Sequence, residues 1–230
     1  MSRVVFWDFD GTLAYSSGKW RAALMATLDE YVPGHGIPPE AIGPFLQDGF
    51  PWHRPDLPHP ELSGAEAWWA QLSSLLVRAY VGVGLSERTA RRLAPLVRKR
   101  VTDPHNYRLF DDTIPALEQL TDAGWDHAVL SNHVPELAQL VAGVGLDAYV
   151  THVVCSAETG YEKPHPEAFL VALERTGDPT HVWMVGDDPE ADVRGAEAVG
   201  IPAILVRTQD ANVLRHADDL MAAADIITSE

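Results

Sequence analysis

Asp8 and Asp10 stand two residues apart, directly after the apolar run Val4-Val5-Phe6-Trp7 and before Gly11-Thr12-Leu13. Close carboxylates raise each other's pKa, and a divalent cation removes that penalty. A second acidic group, Gly186-Asp187-Asp188-Pro189-Glu190-Ala191-Asp192, follows the apolar residues Val182 to Val185. All-oxygen donors with no neighbouring Cys or His pair favour Mg²⁺ over zinc. Some of this acidity, at Glu190 and Asp188, has a simpler reading as complement to a helix N-terminus. Ser131-Asn132 offers a hydroxyl and a backbone N–H suited to phosphoryl oxygens, or alternatively a helix cap. Lys163 lies in Gly160-Tyr161-Glu162-Lys163-Pro164 and is one of only three lysines, with Lys19 and Lys99. In a chain this acidic it is a candidate for the local cation that an anionic substrate needs.

The elements around these residues explain how they can meet. Val4–Trp7, His127–Leu130, Tyr149–Val154, His181–Val185 and Pro202–Val206 read as strands. Helical patterns at Ile114–Ala123, Pro135–Val144, Pro166–Arg175 and Pro189–Val199 alternate with the later strands. Such alternation implies a parallel sheet covered on both faces, with ligands at the carboxyl ends of its strands. Asp8, Ser131 and Asp187 all sit at such ends. Between the first strand and Asp103, apolar spacing predicts helices at Trp20–Tyr31, Ala65–Val81 and Glu87–Val101 and no strand. The chain therefore divides into an α/β core, residues 1–15 and 104–230, and an inserted helical cap, residues 16–103.

Composition narrows the function. The chain has 230 residues, 33 acidic and 17 basic, with a formal charge of −16 and 46% hydrophobic residues. That balance argues against nucleic acid or an anionic membrane as partner. No apolar stretch is long enough for a membrane span. No signal peptide is visible. With a single cysteine, Cys155, read as buried, these features suit a reducing cytoplasm. The ten histidines show no helical pair and are read as solvated or capping. Trp68-Trp69 is read as cap core, Arg98-Lys99-Arg100 as a solvated face, and Asp218-Asp219 as surface.

Taken together, the four motifs resemble those of the haloacid dehalogenase-like superfamily, in the branch with a helical cap between motifs one and two. The resemblance implies a Rossmann-like three-layer core. It implies Asp8 as nucleophile and Asp10 as general acid/base, with Ser131, Asn132 and Lys163 on the phosphoryl group. It implies Mg²⁺ held by Asp8, Asp10 and Asp187, with Thr12 ordering the first loop. The second carboxylate of the last motif is Asp192 or Asp188, with Asp192 favoured. The expected activity is hydrolysis of a small phosphorylated metabolite through an aspartyl-phosphate; a phosphomutase or a phospho-ligand-binding pseudo-enzyme are the alternatives. A dehalogenase is disfavoured by Asp10, and a phosphonatase by the lack of a convincing Schiff-base lysine. In the proline-rich loop Phe50–Pro60, Trp52 and Arg54 are the candidate substrate readers.

Overall fold

The computed structural model describes residues 2–230. The chain begins with β1 (Arg3–Trp7), and β2 (Ala14–Tyr15) leads out of the core. Three helices follow, α1 (Lys19–Tyr31), α2 (Ala65–Gly82) and α3 (Glu87–Val101). Ser86 starts α3 by accepting a hydrogen bond from the Thr89 N–H at 3.2 Å, which satisfies one of the donors a helix start leaves unpaired. The return strand β3 (Arg108–Leu109) pairs antiparallel with β2, Ala14 against Leu109 and Tyr15 against Arg108. Sequence reading misses this two-residue ribbon because it is too short to show a period. It ties the two crossings of the chain into and out of the helical segment.

The remaining chain alternates: α4 (Thr113–Asp122), β4 (Asp126–Ser131), α5 (Leu137–Gly143), β5 (Val150–Cys155), α6 (Ser156–Thr159), α7 (Pro166–Arg175) and β6 (His181–Gly186). A π-helical turn at Pro189–Arg194 runs into α8 (Gly195–Ala198), where one regular helix was expected. Then come β7 (Ala203–Val206), β8 (His216–Ala217) and α9 (Leu220–Ser229). These last two lie beyond the last strand expected from sequence. The segment Phe50–Pro60, expected as loop, carries a 3-10 turn at Pro51–His53, and a second begins at Pro60.

The six strands form one parallel sheet in the order β5-β4-β1-β6-β7-β8. Alternate residues of β1 enter different layers, as strand geometry requires. Val5 and Trp7 pack with α4, α5 and α9, whereas Val4 and Phe6 pack with Phe169, Ala172 and Ala196 of α7 and α8. Both faces are thus buried, and the architecture is the expected three-layer α/β core with an inserted helical cap. The cap has no separate core: Leu24, Leu28, Trp68, Leu72, Leu93 and Val97 join the same apolar cluster as Trp7 through Phe9 and Leu13. Trp68 and Trp69 are buried as expected.

Candidate active site

Because β1 lies between β4 and β6, the carboxyl ends of all three strands come together. Trp7 aligns with Val129 on one side and Val185 on the other, and the Asp8 N–H still donates to the Val185 carbonyl at 2.9 Å. Asp8, Ser131 and Asp187 therefore meet at one sheet edge. Two glycines make room for the carboxylates. Gly11 has φ +87°, and a Cβ there would overlap the Asp187 carboxylate; a Cβ on Gly186 would overlap that of Asp192.

Lys163 is the centre of the site floor. Its ammonium, 2% exposed, donates to Asp8 Oδ1 at 2.8 Å, to Asp192 Oδ1 at 2.6 Å and to the Leu130 carbonyl at 2.7 Å. All three donors are used. Burial by itself would favour the neutral amine, but the Asp192 and Asp8 carboxylates reverse that and push its pKa above the ordinary lysine value. Asn132 fixes the Lys163 backbone from both sides: its amide N–H donates to the Lys163 carbonyl at 2.8 Å, and its Oδ1 accepts from the Lys163 N–H at 2.7 Å. Its side chain is thus a positioning group for Lys163.

The two candidates for the second carboxylate separate cleanly. Asp188 is exposed and accepts from the Glu190 and Ala191 N–H groups, capping the helical turn. Asp192 is 1% exposed, and its oxygens accept from Lys163 and from the Asp188 N–H at 3.0 Å. Single oxygens of Asp8, Asp187 and Asp192 lie within 4.8 Å of one another. Burial first, and then the Asp8 charge, push the Asp187 carboxyl up to about 6. Thr12, fully buried, donates to Asp187 Oδ1 at 3.3 Å.

Asp10 lies apart from this cluster. Its carboxylate pairs with Lys19 and sits 3.2 Å from His133 Nε2. Burial opposes its ionisation, but the Lys19 and His133 neighbours outweigh it and hold the group well below the usual carboxylate range. His133 is fully buried, its Nε2 2.8 Å from Lys19 Nζ, and burial and then the lysine charge lower its pKa. Both residues were missed. Lys19 carries the same signal as Lys163, its rarity, as one of three lysines. Three histidines also correct the solvated reading. His59, His127 and His133 are buried, and His127 is satisfied within the core by Trp7 Nε1 at 3.1 Å and by Thr121. No local pattern announces such partners.

The cavity above the floor has a volume of about 480 Å³. Trp20, Trp52 and Pro55 wall it on the cap side, Pro164 belongs to the core, and Asp188 and Glu190 line its rim. Arg54 does not line it and is exposed, which corrects the expectation that Arg54 reads the substrate. Trp52 lies within the 3-10 turn at Pro51–His53 and lines the cavity, whereas Arg54 directly follows the turn and does not. Arg98, read as part of a solvated face, stays partly exposed and also pairs with Glu136 of the core at 2.7 Å, and Glu136 also accepts from Trp69 Nε1. A second tie joins cap and core at His59, whose N–H donates to the Gly160 carbonyl at 2.8 Å while Nε2 meets Glu162 at 3.0 Å. Cys155 is buried and free, and no helix among the described residues is long and apolar enough to cross a membrane.

The comparisons with known proteins agree with this geometry. The chain is 34% identical to a phosphoserine phosphatase of Thermus thermophilus over 151 residues, 64% of this chain and 59% of that one. The match therefore spans less than two thirds of that relative's length. Among solved structures, a HAD phosphatase from Thermococcus onnurineus superposes with a TM-score of 0.67 at 23% identity, covering 99% and 98% of the two chains. The L-2-haloacid dehalogenase of Xanthobacter autotrophicus gives 0.68 at 20% identity, covering 99% and 98%. At such identities the two structures attest the fold alone. Residues 2–200 match the haloacid dehalogenase-like hydrolase family, and with the parallel sheet and the strand-end carboxylates in place, the chain belongs to that family of hydrolases.

Proposed function

We propose that this chain hydrolyses phosphate monoesters of small molecules through an aspartyl-phosphate on Asp8, with Mg²⁺ as cofactor. The observation that carries the reading is the buried ammonium of Lys163, bonded to both Asp8 and Asp192 at the cavity floor. It places a fixed positive charge beside the nucleophile, where transferring phosphoryl oxygens develop negative charge.

The acidic cluster suits a hard divalent cation. Both Asp192 oxygens already accept hydrogen bonds, so Asp8 and Asp187 are the carboxylates left to hold it. The Asp10 carboxylate is engaged with Lys19, so any ligand from Asp10 is its backbone carbonyl. Burial and then the Asp8 charge raise the Asp187 pKa, and a bound cation would offset both. When bound, Mg²⁺ neutralises phosphoryl charge.

In the first step an Asp8 oxygen attacks phosphorus as the ester P–O bond breaks, and Asp10 gives the leaving oxygen its proton. In the second, water attacks phosphorus, Asp10 takes its proton, and the bond to Asp8 breaks to release phosphate. Ser131, buried at the cavity wall, and the Asn132 N–H hold phosphoryl oxygens. Lys19 and His133 hold the Asp10 pKa down against burial, favouring the ionised state that a base requires. Lys19 begins α1, so this contact joins Asp10 to the cap, residues 16–103.

The test is p-nitrophenyl phosphate turnover. Wild-type chain is expected to be active with Mg²⁺, inactive with EDTA and restored by added Mg²⁺. Asp8→Asn, nearly isosteric, is expected to keep the wild-type circular dichroism and lose turnover. Undiminished kcat in folded Asp8→Asn, or full activity after exhaustive metal removal, overturns the proposal.

A further inference from the structure

The cavity is chemically two-sided, and the side away from the phosphoryl floor bears on what the substrate carries. Its cationic groups, Lys163 and Lys19, are both at the reacting end and both already paired with carboxylates. The outer lining, formed by Trp20, Trp52, Pro55, Pro164 and Glu190, contains no lysine, arginine or histidine. Neither Arg21, next to Trp20, nor His165, next to Pro164, lines the cavity. Arg54 does not line the cavity, and Arg194 pairs with Glu190 and faces Asp210 at 3.7 Å. His53 packs edge-on against Trp52 outside the lining, and burial, set against the Asp48 charge, lowers its pKa.

What the outer wall does offer is aromatic surface held in place from behind. Trp20 and Trp52 have ring centroids 6.2 Å apart; Phe50 lies 4.7 Å from Trp20 and stacks on Trp52 at 4.6 Å and 11°; Trp68 stands 6.2 Å behind Trp52. Rings braced in this way lose little freedom when a ligand packs on them, and indole faces favour flat apolar groups and cations. A second anionic group on the substrate would meet neither an arginine fork nor a free ammonium in the lining, and would face the rim carboxylates Asp188 and Glu190, the latter paired with Arg194.

On the phosphatase reading above, we infer that the physiological substrate is a phosphate monoester whose leaving group is neutral or cationic and presents a flat apolar face, read by Trp20 and Trp52. Bisphosphates and phosphorylated carboxylic acids are the classes it disfavours. Specificity of this kind is modest in size, because one apolar contact surface discriminates by about 10- to 200-fold at most.

The inference is tested with esters that share one kind of leaving oxygen, so that differences report recognition. Steady-state kcat/KM is measured with Mg²⁺ for ethyl, benzyl, 4-carboxybenzyl and 4-(aminomethyl)benzyl phosphate. In the wild-type chain, benzyl phosphate is expected to exceed ethyl phosphate by about tenfold or more. The 4-carboxy compound should fall below benzyl by a similar factor, and the aminomethyl compound should match or exceed it. Trp52→Leu and Trp20→Leu, checked for folding by thermal melting, should bring the benzyl-to-ethyl ratio towards one. Glu190→Lys should raise the 4-carboxybenzyl-to-benzyl ratio without relying on a core-packed residue. Turnover of ethyl phosphate together with equal or better use of the 4-carboxybenzyl ester overturns the substrate class and leaves the phosphatase reading standing. No turnover of any ester, p-nitrophenyl phosphate included, removes both.

Discussion

The floor of the site and its cap-side wall are built on opposite principles. On the floor, Asp8, Lys163 and Asp192 are nearly inaccessible, and every Lys163 donor has a partner. Asp8 follows the end of β1, Lys163 lies in the short segment before α7, and Asp192 sits in the π-helical turn after β6. On the wall, Trp20 and Trp52 are half-buried, come from a helix start and a 3-10 turn, and present ring faces rather than fixed polar bonds. On the proposed function, the difference follows from two tasks. Charge stabilisation in transfer chemistry depends on groups fixed in advance, since a displacement of about 1 Å can cost 10²-fold. Recognition of a leaving group tolerates adjustment, and a cap that must admit substrate cannot be as rigid as a sheet.

If the floor is one preorganised charge network, breaking it should have the largest effect. Lys163→Ala leaves two buried carboxylates without their cation, so it should lower stability by about 3–5 kcal/mol and kcat/KM by about 10² or more. Denaturant unfolding and p-nitrophenyl phosphate kinetics measure the two losses; a drop of only two- or threefold in kcat/KM would make Lys163 structural alone.

Lys19 belongs to the cap by position and to the floor by contact, so it tests the boundary between them. Lys19→Met should lower kcat by roughly tenfold. Without the ammonium the Asp10 pKa rises, so the acidic limb of the pH–rate profile should move to higher pH. A profile that stays in place would separate Lys19 from Asp10 in function.

The tie between His59 and Glu162 should matter to docking of the cap and hardly to chemistry. Hydrogen bonding to Glu162, set against burial, raises the His59 pKa above its ordinary value. A raised histidine pKa contributes stability that is fully present below the unfolded value near 6.5 and is lost as pH rises through the folded value. The difference in melting temperature between wild type and His59→Gln should therefore be greater at pH 6 than at pH 9, by about 2–4 °C for each kcal/mol involved. An equal difference at both pH values would show that the imidazolium plays no part. The smallest effect belongs to Arg54. Arg54→Ala should change kcat/KM by less than about twofold for any ester, as for a surface substitution. A larger loss would bring the outer face of the cap loop into recognition and sharpen where the wall ends.

Much of the layout of the floor is legible in the sequence. Each of Asp8, Ser131 and Asp187 follows a short apolar run, and parallel strands place such ends on one edge, so convergence could be read without coordinates. Lys163 was legible from its rarity, and the helical insert from its period. Tertiary structure alone decided the rest. It chose Asp192 over Asp188, because one faces the buried ammonium and the other caps a turn. It also joined Lys19 to His133 across 114 residues and His59 to Glu162 across 103. The same holds for Arg54, which directly follows the 3-10 turn and does not line the cavity, whereas Trp52 within the turn does. Local patterns record which face of an element is apolar, whereas these pairings depend on how separate elements dock, and no residue's neighbours in the chain carry that information.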